Sequence, residues 1–370
     1  MQPFLLERFC AVYEFSTRYL LCASDCESLK MSEVLAMADD EMRAAWQNLS
    51  LAYTESLGLP ALRQEIVKMY PGLNLEQIMI GAPEEAIYIA MRTLLKPGDH
   101  VVSTFPEYQS LYEIGREIGC QVSPWHARET ESGWRFDLNE LDQILQHGTR
   151  MVIVNFPHNP TGFLPDRAFF DELIAMVAER GAYLFCDEMY RQLEDEVENR
   201  LPAACTLYPR AISLSGLSKA YALPGLRIGW LATRDQQAFE AFKVYKDYTT
   251  ICASAPSEIL ATIGLRNGER IAGRNREIIR ENKSLAHEMF RKYPQVFKWH
   301  ESGGSSIGFH RLQLPISIDD FCHELVTEKE VLLAPGRMFE VPTNHFRMGY
   351  GRLNFPQGLA LLEEYIQKYV

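Results

Sequence analysis

The chain has 370 residues, 47% hydrophobic and 23% charged, with 37 Lys and Arg against 49 Asp and Glu for a formal charge of −12. That length exceeds what a single core usually serves, so two subdomains are expected. The acidic balance argues against nucleic acid as a partner, because phosphate binding needs a basic footprint. No apolar run approaches the roughly 20 residues that span a bilayer, so no membrane association is expected. The start, Met1-Gln-Pro-Phe-Leu-Leu-Glu-Arg-Phe, lacks a charged-then-apolar leader, which argues against export. The eight cysteines are scattered, only Cys22 and Cys26 lie close, and no Cys/His cluster has zinc-like spacing. They read as reduced thiols of a cytoplasmic protein without a metal site. Several, such as Cys186 after Phe185, sit in apolar runs where a thiol behaves as a small hydrophobe.

A lead-in helix is expected over Leu59–Met69. From about residue 75 to 235, short β-rich runs alternate with helical ones. Pro83–Leu95, Glu107–Ile118 and Asp166–Arg180 read as helices. His100–Phe105, Met151–Phe156, Tyr183–Asp187, Ala211–Leu214 and Ile228–Ala232 read as buried strands. Such alternation predicts an α/β fold with a mostly parallel sheet covered on both faces. Beyond Arg234 the pattern turns helical (Gln236–Tyr248, then a long charged helix near Arg270–Lys292). A second α/β portion follows, containing Gly303-Gly304, Ala334-Pro335-Gly336 and Arg347. There is no internal repeat and no low-complexity linker.

Ligands of such sheets bind beyond the carboxyl ends of the strands, so the residues there carry the most information. Phe105 leads to Pro106-Glu107-Tyr108, and Val154 to Asn155-Phe156-Pro157-His158-Asn159-Pro160-Thr161-Gly162. Phe185 leads to Asp187-Glu188-Met189-Tyr190. Leu214 leads to Ser215-Gly216-Leu217-Ser218-Lys219, with breaks at Gly216 and Pro224-Gly225 before Arg227. A lysine on such a turn, with hydroxyls before it and an arginine after it, is placed for chemistry. Alone, Ser-Lys most often marks a solvated surface; its neighbours at the other strand ends change that.

The ordered set Tyr53-x4-Gly58, Gly81-Ala-Pro-Glu-Glu, Pro106-x-Tyr108, Asn159-Pro-Thr-Gly162, Asp187-x2-Tyr190, Ser218-Lys219-x7-Arg227 and Arg347 resembles the class I/II aminotransferases, pyridoxal-phosphate enzymes of fold type I. The likeness spans about residues 45 to 355. It implies an N-terminal segment (1–45) belonging with the small domain, a large cofactor-binding domain (46–255) with a mostly parallel sheet, and a small α/β domain (256–370). Lys219 would hold the cofactor aldehyde as a Schiff base and act as general base, with Asp187 and Tyr190 completing the catalytic set. Asp187, ending an apolar strand, would keep the ring nitrogen protonated, making the ring an electron sink. Asn159 and Tyr190 would hydrogen-bond the phenolate, and Tyr108 would plate the ring face.

The phosphate needs a helix N-terminus and a cation. The turn before Pro83 offers the Ala82 amide with Glu84 beside it, Ser218 offers a hydroxyl and Arg227 a guanidinium fork. Two departures weaken this part: Pro83 has no amide hydrogen, and Gly216 stands where many members carry a hydroxyl, leaving Ser215 or Ser218 to substitute. Tyr53 resembles the tyrosine that reaches the phosphate of a neighbouring subunit, implying a homodimer; otherwise it is an aromatic leading into a helix. Arg347 resembles the arginine that grips the substrate α-carboxylate, beside Asn159. Arg352 reads as a surface or structural pair.

The resemblance implies transfer of an amino group from an L-amino acid to a 2-oxo acid. The segments Tyr13-Glu14-Phe15-Ser16 and Ser24-Asp25-Cys26-Glu27-Ser28 occupy the place where this fold lays a segment across the site mouth. Glu14 and Asp25 there either receive a cationic side chain or are solvated or capping residues. The first option is similar to the capreomycidine synthase-like branch and implies a cyclase or oxidase on arginine or hydroxyarginine. A β-elimination lyase or a decarboxylase uses the same scaffold. A silent binding protein would have lost Lys219 or Asp187, and both are present.

Overall fold

The computed structural model describes residues 1–370. Its strands in chain order are β1 (Ile78–Gly81), β2 (His100–Phe105), β3 (Gln121–His126), β4 (Arg128–Thr130), β5 (Gly133–Arg135), β6 (Thr149–Asn155), β7 (Tyr183–Asp187), β8 (Ala211–Gly216), β9 (Gly229–Thr233), β10 (Phe297–Lys298), β11 (Ile307–Leu312), β12 (Ala334–Pro335) and β13 (His345–Gly349). A seven-stranded sheet runs in the order β1-β9-β8-β7-β6-β2-β3, and a smaller one in the order β10-β11-β13-β12.

The large sheet is buried on both faces. Along β6, Met151 and Ile153 join one core cluster while Val152 and Val154 join another, the period-two alternation of a strand sandwiched between helical layers. Pairing is parallel from β8 across β7, β6 and β2 to β3. At the other edge β9 runs antiparallel to both β8 and β1. Residues 217–228, between β8 and β9, contain only a short 3-10 turn. That link carries no helix to cross a face of the sheet, and β9 turns back antiparallel beside β8. The expected helix over Glu107–Ile118 begins only at Ser110, because the Glu107 carboxylate accepts from Thr104 Oγ1 and from the Tyr108 amide and makes a turn first.

The register decides where chemistry converges. Asn155 of β6 pairs with Asp187 of β7, which pairs with Leu214 of β8, so three carboxyl ends lie in one row. The Asn155 amide locks that row, donating to Asp187 O (3.0 Å) and accepting from the Asn159 N–H (2.6 Å).

The smaller sheet is antiparallel, and the first residues of the chain lie against it: Tyr19 bridges Val331, and the Gly349 amide donates to Leu21 O. The long helix Gly268–Lys292 buries Ile271, Asn275, Ile279, Asn282, Ala286 and Met289 along one face. The β4–β5 hairpin crosses to the small sheet. There Trp134 Nε1 donates to Phe309 O (2.9 Å), and Glu129 accepts from Lys298 (2.6 Å) and bonds His300 Nε2 (3.0 Å). His345 lies 3.2 Å from the other Glu129 oxygen. Glu129, His300 and His345 place their ligand atoms within 4.8 Å of one another, but Lys298 already supplies positive charge there. Burial opposes ionisation of Glu129, yet the bonds from Lys298 and His300 outweigh it and hold its pKa down to about 2. No helix is long and apolar enough to cross a membrane. All eight cysteines are free thiols.

Glu129→Ala leaves Lys298 and His300 without their acceptor and removes the carboxylate that lies 3.2 Å from His345. Thermal and urea unfolding should show a loss of about 2–3 kcal/mol. Unchanged stability would mean that the hairpin is held by Trp134 packing alone.

Candidate active site

Beyond the row formed by Asn155, Asp187 and Leu214 lies a cavity of about 520 Å³. Of the residues singled out from the sequence, Asp187, Asn159, Tyr190, Tyr108, Glu84, Ser218, Lys219, Arg227, Arg347, Glu14 and Asp25 line it. Ala82 and Tyr53 do not.

Side-chain alternation decides which strand-end acid faces the cavity. Asp187 points in and accepts from the Met189 amide (2.9 Å), while Glu188 points to the opposite face, where it accepts from Ser213 Oγ (2.6 Å) and the Ala204 amide (2.9 Å). Burial raises the Asp187 pKa to about 7; the Met189 amide and the charge of Lys219 pull the other way without cancelling it. Such an acid lacks a cationic partner. Glu84, in the first turn of helix Pro83–Leu94, is likewise raised to about 7 by burial, against a hydrogen bond from Ser110.

The Lys219 segment is shaped by close backbone approach. A β-carbon at Gly216 would meet Gly229 Cα and Ile228 O at 3.1 Å, which accounts for glycine where a hydroxyl was expected. Ser218, rather than Ser215, is the hydroxyl that lines the cavity. Arg227 adopts a left-handed conformation (φ 56°) and is exposed; its Nη1 donates to Pro224 O (3.1 Å), and its side chain lines the cavity wall. The amide of Ala82, the expected phosphate donor, is directed to Glu85 Oε2 at 3.3 Å. Tyr53 is 89% exposed and outside the cavity.

Residues 20–27 form a strap across the mouth. Arg347, buried on β13, donates to Cys22 O from Nε (3.2 Å) and Nη2 (2.9 Å), and to Asn159 Oδ1 from Nη1 (3.0 Å). Ser306 Oγ donates to Ser24 O (2.6 Å), and the Glu27 amide to Gly351 O (2.7 Å). β-Carbons at Gly349 and Gly351 would run into the strap backbone at Ala23 and Asp25, so only glycine lets it lie this low. From sequence, Asp25 is either a receiver for a cationic side chain or a solvated or capping residue. Its carboxylate is instead held by Arg352 Nη2 (2.8 and 2.9 Å), the structural pair anticipated for that arginine. Glu14 forms no ion pair. Partial burial, together with the neighbouring charges of Asp25 and Glu7, raises its pKa.

The polar and thiol-bearing lining residues given no role from sequence are Glu7, whose carboxylate accepts from the Tyr108 hydroxyl (3.1 Å), Cys10, Cys22, Ser24 and Asn155. Asn155 directly precedes the Phe156-Pro157 turn, a readable strand-end signal. The others depend on where the first residues fold back.

A single lysine amine, a buried acid able to pair with a ring nitrogen, an aromatic wall, a hydroxyl and a guanidinium share one cavity. That donor set fits a phosphorylated aldehyde cofactor, and with the sheet it defines a pyridoxal-phosphate enzyme of fold type I. The sequence profile described as "Aminotransferase class I and II" matches residues 19–357, and the chain belongs to that family of PLP-dependent transaminases. Among its relatives, capreomycidine synthase of Streptomyces vinaceus is 31% identical over 314 residues, covering 84% of this chain and 79% of that protein. A PLP-dependent aminotransferase of Streptococcus suis superposes with a TM-score of 0.93 at 31% identity, covering 100% of this chain and 98% of that one. The PLP-dependent cyclase OrfR superposes at 0.91 with 25% identity, again over 100% and 98%.

The Asp187 shift makes a testable pH dependence. An unfolded aspartate titrates near pH 3.9. Between about pH 4 and 7 the folded, cofactor-free protein therefore holds a proton that the unfolded chain has released, so stability rises as pH falls through that window. Urea unfolding of cofactor-free protein at pH 8 and pH 5 should show this gain reduced in Asp187→Asn, by about 1–3 kcal/mol. An unchanged gain would place the proton elsewhere.

Proposed function

We propose that the protein transfers the α-amino group of an L-amino acid to a 2-oxo acid, using pyridoxal phosphate attached through Lys219. The observation that carries this reading is the shared cavity of the Lys219 amine, the buried Asp187 and the Arg347 guanidinium. When bound, the cofactor supplies an electron sink for the pair left behind at the substrate Cα. Asp187 would hold the ring nitrogen, Tyr108 the ring face, Asn159 and Tyr190 the ring hydroxyl, and Ser218 and Arg227 the phosphate, with Glu84 beside them. Arg347, kept in place by Cys22 O and Asn159, would present its planar fork to the α-carboxylate. Lys219 Nζ, once released, would take the Cα proton and hold it for return. The strap excludes water from that exchange.

A homodimer with Tyr53 reaching the partner's site belongs to the same reading. Its support is the exposure of Leu51, Tyr53, Tyr248 and Ile251 on segments joined by the bond from Thr54 to Ala253 O (3.4 Å). We further place residues 1–45 with a small domain of residues 256–370, 46–255 as the large domain, and the protein in the cytoplasm, in keeping with its free thiols.

A second reading, conversion of an arginine-like substrate by cyclisation or oxidation, is favoured by the carboxylates of Glu7 and Glu14 at the mouth and by the names of two relatives. With Asp25 tied to Arg352, Glu14 becomes the receiving acid of that reading.

Purified protein should absorb in the visible with bound cofactor. Lys219→Ala should lose the covalent attachment, read as cofactor fixed by borohydride, and lower amino transfer by roughly three orders of magnitude. A colourless protein that takes up no pyridoxal phosphate would sink the proposal. In a donor screen, Glu14→Gln should raise KM for L-arginine about tenfold, the worth of about 1.4 kcal/mol, and leave L-alanine nearly unaffected. Equal effects on both donors would remove the cationic-substrate reading, and mass analysis of products separates keto acid from cyclised or oxidised arginine.

A further inference from the structure

We propose that the hydroxyl of Ser24 is a catalytic group that receives and aims the free amine of Lys219. The inference rests on the amino-transfer reading, in which that amine takes the substrate Cα proton. Lys219 Nζ donates to Ser24 Oγ at 2.8 Å, its one side-chain hydrogen bond, with the Tyr190 ring centroid 5.8 Å from the nitrogen. The contact joins residues 195 positions apart in sequence.

A lysine amine sits on a flexible four-carbon stem and samples many rotamers unless something holds it. One N–H bonded to Ser24 fixes the nitrogen and leaves its lone pair free to point into the cavity. The chemical nature of the acceptor matters as much as its place. A carboxylate there would favour the ammonium form and blunt the base, whereas a hydroxyl carries no charge. The neighbouring residue is a carboxylate, Asp25, and Arg352 holds it in a two-oxygen grip.

Ser24 is also fixed from behind. Its own carbonyl accepts from Ser306 Oγ (2.6 Å), the preceding Cys22 carbonyl accepts from Arg347 (2.9 Å), and the glycines at 349 and 351 let the strap backbone lie against β13 and the residues after it. A hydroxyl set so firmly is an anchor rather than a surface side chain.

In the step itself, the Nζ lone pair takes the proton from Cα while the C–H electron pair stays with the substrate carbon. The nitrogen becomes an ammonium, still bonded to Oγ, and returns to neutrality when it gives the proton back. Ser24 gains and loses no proton.

The test uses Ser24→Ala and Ser24→Thr, with Cα-deuterated L-alanine or L-arginine, whichever the wild type turns over faster. Ser24→Ala should lower kcat by about 10- to 100-fold, the cost of a misplaced reacting group, with donor KM little changed and a larger isotope effect. In cofactor-free protein, acylation of Lys219 by an amine-reactive reagent, read by mass spectrometry, should be about threefold faster once the tethering bond is gone. Ser24→Thr, which keeps the hydroxyl, should restore wild-type behaviour in both measurements. Wild-type kcat, isotope effect and acylation rate in Ser24→Ala would overturn the proposal. So would a fall in kcat with isotope effect and acylation unchanged, which assigns Ser24 to packing. Absence of amino transfer in the wild type would count against the proposed function instead.

Discussion

A guanidinium buried as deeply as that of Arg347 must find acceptors for its N–H groups inside the protein. It finds them on two parts of the chain that share no secondary structure: the Cys22 carbonyl of the strap and the Asn159 amide oxygen beyond β6. β13, which carries the arginine, is thereby tied to the large sheet and to the N-terminal strap at once. The cavity exists because these three pieces meet around one cation. Its mouth and its floor follow from satisfying that group.

Electrostatically the site is asymmetric. Arg347 and Arg352 have their acceptors, whereas Asp187 and Glu84 are pushed up to about 7 because burial leaves each without a full cationic partner. A protein tuned only for stability would pair or remove such acids. A pocket that waits for a cationic ring and a phosphorylated ligand has reason to keep them.

How much of this was legible from sequence follows from the range of each interaction. The strands of the large sheet announce themselves as apolar runs, and the carboxyl-end rule then gathers Asn159, Asp187, Tyr190 and Lys219 without knowledge of any contact. Orientation was less accessible. The apolar run of β9 looks the same whichever way the strand points, and its antiparallel pairing with β8 appears only in the register. The contact of the Ala82 amide with a glutamate three residues on was not foreseen from the Gly-Ala-Pro turn. The pairing of Asp25 was hidden for a longer-range reason: its partner Arg352 lies 327 residues away, and nothing local distinguishes a paired acid from a waiting one. Ser24 was hidden the same way, since a serine in a loop means little until a lysine is found against it.

The strap also has a temporal meaning. It is synthesised long before its fixings, which are Ser306, Arg347, Gly349, Gly351 and Arg352. The large sheet can form with its lysine exposed while the opening residues have nowhere to settle. They can close the cavity only when residue 352 has emerged, so a late segment of the chain sets when a much earlier one covers the cavity.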